Sequence, residues 1–353
     1  MTMVKFLVED GRYTWAFSGS MLGADFKGVR SYPVGYVHEL VMRPLDFQEF
    51  VWALGISEDT LLEIDAACRE ERPVEEYIHD AMITNFRTYV TVGGMPEVVQ
   101  EYLDTKGDFN AIRAKQVELN GQYRHDISRY AGSRALQVQS IFDQLPVQLE
   151  GKTHRYVLNS IDQNARYEKY QRDFVWLVNA GVALKTDLAN DPVLPLARTV
   201  NEAAFKLYQS DVGMLMARYS ASVARAAYLG EKHPNLGGIF ENAVAQELVA
   251  AGHRPFYYQK KKQGEVDFIL DGSHARAVPI EVKSGSYYRA HTALDNLVAN
   301  HSTDIEQAIV LCRGNVERVD KILYLPWYAV FCLDSLIGDE LNTEDFKLTP
   351  VIV

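Results

Sequence analysis

Apolar residues recur at spacings of three and four through "VEEYIHDAMITNFRTYV" and "VQEYL", the period of a helix with one buried face. The pattern predicts a mostly helical stretch from Glu58 to about Tyr130. "GGMP" at Gly93 to Pro96 breaks two of its helices apart. Just upstream, Asp46 stands before "FQEFVWAL" as a predicted N-cap. The opening residues predict a helix end at Val4 to Glu9, then two strands, "YTWAFSGS" and "VHELVM".

After residue 133 the pattern changes. "RALQVQSIFDQL" predicts a helix ended by Pro146, "HRYVLNS" a strand, and "QNARYEKYQRDFVWLVNAG" an amphipathic helix closed by Gly181. "VALKTDL" returns as a strand. From Gly213 come a helix ("IFENAVAQELVAAG"), a strand ("PFYYQ"), a hairpin, a helix ("ALDNLVANH") and a strand ("AIVLC"). The expected fold is α/β and multidomain, with divisions at 1–57, 58–132, 133–212 and 213–353. The third of these has the helix, strand, helix, hairpin order of a winged helix.

The 353 residues suffice for two or three cores. A composition of 47% hydrophobic and 24% charged residues is that of a globular protein. No apolar run is long enough for a transmembrane helix, and the acidic start lacks the apolar region of a secretory leader. Cys68, Cys312 and Cys332 are far apart and form no metal-binding pair. A cytoplasmic location and no membrane partner are therefore expected. The net charge of −11 argues against a protein coated in nucleic acid, but not against a local basic groove.

The hairpin "QGEVDFILDGSHARAVPIEVKSG" carries acids where a buried strand carries none. Residues two apart share a face, so Glu281 and Lys283 point one way. Asp267 and Ile269 share a face, with Val266 and Phe268 opposite. If the strands pair, Asp267 lies beside Glu281, and two adjacent carboxylates call for a cation. Oxygen donors suit Mg²⁺. Lys283 can then orient or deprotonate a water for attack on a phosphodiester. Glu241, on a largely apolar helix face, is a third carboxylate in need of a partner.

Beside this site, Lys260, Lys261 and Lys262, with Arg289, are candidates for holding nucleic acid. From His253 to His291 there are seven Lys or Arg (Arg254, Lys260, Lys261, Lys262, Arg276, Lys283, Arg289) against four acids (Glu265, Asp267, Asp271, Glu281). An ordinary solvated turn would show the same. Gln259 is expected to face solvent from an edge strand, or else to touch the metal or its water. Arg166, Lys169 and Arg172 on the helix of the 133–212 module are balanced by Asp162, Glu168 and Asp173. That helix is as suited to neighbouring domains as to a DNA groove.

The set Glu241, Asp267, Glu281, x, Lys283 resembles the PD-(D/E)XK nuclease signature. The wider chain resembles a bacterial family that couples an AAA-type ATPase to a C-terminal domain of unknown function, through "FSGS", "PLDFQEF", "YVTVGGMPEVVQEY", "FKLYQSDVGML", "FENAVAQEL", "GEVDF" and "IEVKSG". The resemblance implies a partial ATPase core at 1–57, a helical bundle, a winged helix, and a restriction-endonuclease-like domain at 213–353. It also implies that the chain starts midway through the ATPase core, with Ser18 and Ser20 near where a γ-phosphate would sit.

The P-loop of such relatives is missing. "EGKTHRY" matches its end, but the upstream glycine would fall on Pro146. Gly35-Tyr36 stands where relatives carry Gly-Arg. ATP is not expected as a ligand. The function implied is Mg²⁺-dependent hydrolysis of DNA, with Asp267 and Glu281 on the metal, Lys283 on the water and Glu241 assisting. The alternatives are a non-catalytic interaction or DNA-binding scaffold with a nuclease-like fold, with self-association or a protein partner, and the C-terminal body of a split or truncated ATPase.

Overall fold

The computed structural model describes residues 4–19, 35–38, 40–151, 153–233, 236–273 and 276–338. Val4–Glu9 forms helix α1. The strands expected at 13–20 and 37–42 do not form among the described residues; Ser20, with 21–34, and Glu39 lie outside them. Strand composition is not enough, because a strand exists only through hydrogen bonds to a neighbour. Here Tyr13, Phe17, Leu40 and Met42 are exposed instead.

The helical layer follows the periodicity. Asp46 caps α2 (Phe47–Ala53) as predicted: its carboxylate accepts the Glu49 N–H, and Glu49 accepts the Asp46 N–H. Helices α3 (Glu58–Arg69), α4 (Glu76–Val92), α5 (Pro96–Asp104) and α6 (Phe109–Tyr130) follow. Gly93 ends α4 and Pro96 opens α5.

Helix α7 (Ala135–Asp143) precedes α8 (Leu145–Leu149). Pro146 sits in the first turn of α8 rather than ending a helix, since a first-turn residue needs no N–H donor. Gly151 and Thr153, from the false P-loop, follow α8; Lys152 lies outside the described residues. The strand expected at "HRYVLNS" is reduced to one bridge, Arg155 to Lys206. Tyr156 then packs its ring on Phe174 and Phe205, and the chain turns away. Helix α9 is Tyr167–Asn179.

Strands β1 (Ala183–Ala189) and β2 (Val200–Gln209) make a hairpin, followed by α10 (Val212–Met216), α11 (Ala221–Leu229) and α12 (Leu236–Ala250). Then come β3 (Phe256–Lys260), β4 (Gly264–Asp271), β5 (Ala277–Val282), α13 (Thr292–Asn300), β6 (Ala308–Cys312), β7 (Glu317–Val319), β8 (Ile322–Pro326) and α14 (Leu333–Ile337). The eight strands of the described residues form one mixed sheet, in the order β2-β1-β3-β4-β5-β6-β8-β7. Because β1 runs parallel beside β3, the sheet continues across the division expected at residue 212.

Each face of the sheet has its own core. Helix α12 and the helical layer cover one face, with Phe86, Phe240, Phe268, Ile280, Leu311 and Trp327 in contact. Helix α13 covers the other, where Leu294 and Leu297 meet Phe256, Val266, Ile269 and Val310. A third core joins Phe142, Phe174 and Phe205. No helix among the described residues is long and apolar enough to cross a membrane.

Strand β4 does not keep strict alternation. Tyr258 pairs with Val266, but Phe256, two residues earlier, pairs with Ile269, three residues later. The extra residue is a bulge beside Asp267. Val266 and Ile269 therefore face one core and Phe268 and Leu270 the other. This corrects the parity that placed Asp267 with Ile269 and Val266 with Phe268: a two-residue period holds only while the ladder is regular.

A candidate active site at a strand fork

The β4–β5 ladder runs from Asp271–Ala277 to Phe268–Ile280 and stops. The next pair in register would be Asp267 and Glu281. The strands part there, and the Asp267 side chain takes over the ladder's role. Its Oδ2 accepts the backbone N–H of Val282 at 2.8 Å. The bulge that re-aims Asp267 and the fork that frees Val282 act together to hold this carboxylate between the strands.

Val278 and Ile280 belong to the core under α12, with Val282 packed against it. Alternation along β5 thus turns Glu281 and Lys283 toward the α13 side. They share a face as expected, and Lys283 Nζ donates to Glu281 Oε1 at 2.6 Å. Glu281 is buried, and its Oε2 has no hydrogen-bond partner among the described residues.

Glu241, rising from α12, reaches a different cation. Lys206 of β2 is fully buried; its Nζ lies 2.7 Å from Glu241 Oε1, 2.8 Å from Glu265 Oε1 and 3.6 Å from Asp267 Oδ1. Glu241 also accepts from the Tyr208 hydroxyl and pairs with His154 Nδ1. The fold therefore brings Asp267, Glu281 and Lys283 together at the fork. Glu241 joins them only through Lys206 and Asp267.

The charges follow this geometry. Burial would raise the Glu241 carboxyl, but Lys206 and His154 outweigh it and hold it at about 2. Burial would lower the Lys206 ammonium, but Glu241, Asp267 and Glu265 outweigh it and raise it. Burial pushes Glu265 up to about 7 despite Lys206. Asp267 is raised by burial and then by the charge of Glu241. Glu281 is raised by burial and then by the charge of Asp267, against the opposing pull of Lys283. A second positive charge at the fork would relieve both of these last two groups.

Sequence reasoning passed over Lys206, Tyr208, Glu265 and His154. The first three leave a trace: Lys206 and Tyr208 sit two apart in the apolar run "AAFKLYQ", and Glu265 sits two before Asp267. His154 leaves none. Gln259 does not face solvent from an edge; β3 is interior, and the Gln259 amide donates to Glu265 Oε2 at 3.0 Å.

Of the basic candidates, Lys260 pairs with Asp191 at 2.9 Å, and Arg289 pairs with Glu317. Lys261 and Lys262 are exposed at the β3–β4 turn. Asp267 and Glu281 fit Mg²⁺, which is held by one or two carboxylates with the remaining positions left to water and substrate. The orphaned, buried Glu281 oxygen supports that fit. A larger protein cage is absent: no three His, Cys, Asp or Glu converge as metal ligands among the described residues.

This is a mixed α/β protein whose central sheet carries a buried carboxylate–lysine cluster at a fork. Residues 236–329, which hold Glu241, Asp267, Glu281 and Lys283, match a domain of unknown function, DUF4143, found C-terminal in AAA-ATPase-like proteins. Residues 83–224, which supply Lys206, match a second domain of unknown function, DUF8612. No curated protein and no solved structure matches the chain.

Proposed function

We propose that the sheet domain is a Mg²⁺-dependent phosphodiesterase of the PD-(D/E)XK type acting on DNA, within an AAA-ATPase-like protein. The observation that carries this reading is the buried Glu281 Oε2, unpartnered among the described residues at a fork where Asp267 is the neighbouring carboxylate. Asp267 and Glu281 would hold the ion, which when bound lowers the pKa of water and neutralises phosphate charge. Lys283, tethered to Glu281, orients the attacking water. Glu241 anchors Lys206, which in turn positions Asp267. Lys261 and Lys262, free of ion pairs among the described residues, favour the backbone of a polyanion against the chain's overall negative charge.

Calorimetric titration with Mn²⁺ tests the ion site. The wild type should bind, and Asp267→Asn and Glu281→Gln should lose binding about tenfold or more. Plasmid nicking at low salt should require Lys283. Absence of Mn²⁺ binding by the wild type, or nicking unchanged in Lys283→Ala, refutes the proposal.

One observation favours a second reading. Lys206 already supplies an internal cation to three of the four carboxylates. On that reading the cluster is a structural ion network, and the domain a scaffold for a protein partner. It would show no divalent-dependent shift in melting temperature.

A further inference from the structure

On the helical-layer side of the "EVKSG" strand end lies a cavity of about 160 Å³. At roughly 30 Å³ per water it holds about five waters, well short of the roughly 300 Å³ at which drug-sized pockets begin. It suits one small group. Its charge is one-sided: Arg87, Lys232 and Arg313 line it against a single carboxylate, Glu231. Glu231 is turned to Arg225, 3.5 Å away. Among the described residues, none of the three cations forms an ion pair, and the buried Arg87 Nε has no hydrogen-bond partner. His233 also lines it, as do Ser284, Gly285 and Ser286, whose backbone N–H groups have no acceptor among the described residues.

Among the described residues, Arg87 is held in place without an acid. One side faces the Trp327 ring, 6.0 Å from its centroid. The other lies on Gly230, the left-handed C-cap of α11, where a Cβ would stand 2.5 Å from the guanidinium carbon. Like-charge repulsion makes this arrangement costly unless an anion joins it. Burial, and then Arg313, push the Arg87 guanidinium down. Trp327 ties the cavity to the fork, because its indole N–H donates to the Lys283 carbonyl at 3.0 Å.

We propose that this cavity is a binding site for one phosphate-type oxyanion, gripped by the Arg87 and Arg313 guanidinia and the Ser284–Ser286 backbone. Planar guanidinium donors match phosphate oxygens. The site needs neither a metal nor Lys283, so it stands or falls separately from the phosphodiesterase reading. Its phosphate could come from a small free phosphate or from a polynucleotide backbone.

Calorimetry with inorganic phosphate in EDTA, against potassium acetate at matched ionic strength, is the test. Phosphate should bind with a Kd of about 1 mM and acetate should not. Arg87→Gln and the exposed Arg313→Gln should each weaken phosphate binding about tenfold or more, the weight of a charged hydrogen bond. Glu281→Gln should leave it unchanged. A short oligothymidylate that displaces phosphate identifies a polynucleotide backbone as the source; phosphate binding without displacement identifies a small free phosphate. Equal heats for phosphate and acetate, or unchanged binding in folded Arg313→Gln, would overturn the proposal.

Discussion

Replacing Lys206 by Met removes the one cation that, among the described residues, is shared by Glu241, Glu265 and Asp267, while keeping most of the side chain's volume. At an effective dielectric of about 20, contacts at 2.7, 2.8 and 3.6 Å correspond to about 6, 6 and 5 kcal/mol of gross attraction. Much of that only offsets the cost of burying the ammonium. Part of the remainder is recovered when the carboxylates take up protons, which Glu265, already at about 7, does readily. The expected net loss is about 3–5 kcal/mol at pH 8, the usual consequence of stranding buried charge.

The pH dependence gives this expectation its edge. Without Lys206, the carboxyls of Glu241, Glu265 and Asp267 rise above their unfolded values. The native variant then binds more protons than the unfolded chain, so its stability recovers as pH falls. Urea unfolding of wild type and variant at pH 8 and pH 5.5 should show a deficit that shrinks at the lower pH. Adding Glu241→Gln should cost less in the variant than in the wild type. A deficit under about 1 kcal/mol at pH 8, or one that does not shrink at pH 5.5, would refute the assignment of Lys206 as the organising cation.

Glu247 accepts the Phe47 N–H and the Tyr89 hydroxyl, and burial pushes its carboxyl up to about 8. Its contribution to stability is complete below the unfolded value of about 4.3 and is lost as pH rises through about 8, so the stability of the wild type relative to Glu247→Gln should fall across that window. Gly213→Ala should cost about 3 kcal/mol or more in thermal unfolding, because a Cβ there would lie 2.1 Å from the Val92 carbonyl oxygen. Cys68, Cys312 and Cys332 are all buried, and burial pushes the Cys312 thiol up to about 12, so a thiol reagent at pH 8 should label none in the native protein and all three in urea.

The helical half of the protein was legible from local rules. Period-3.6 burial gave α3 to α6, and Asp46 gave the start of α2, because a cap and an amphipathic face are settled within a few residues. Parity along "PIEVK" gave the shared face of Glu281 and Lys283 for the same reason. Tertiary structure decided the rest. "YTWAFSGS" has strand composition but no neighbour to pair with among the described residues, and pairing is not a local property. The bulge that turns Asp267 arises from the register between β3 and β4, which neither strand encodes alone. Lys206 lies 35 residues before Glu241 and 61 before Asp267, read from their numbers. Only the β1–β3 pairing, by joining the two halves of the sheet, brings its ammonium among carboxylates that could not otherwise be buried together.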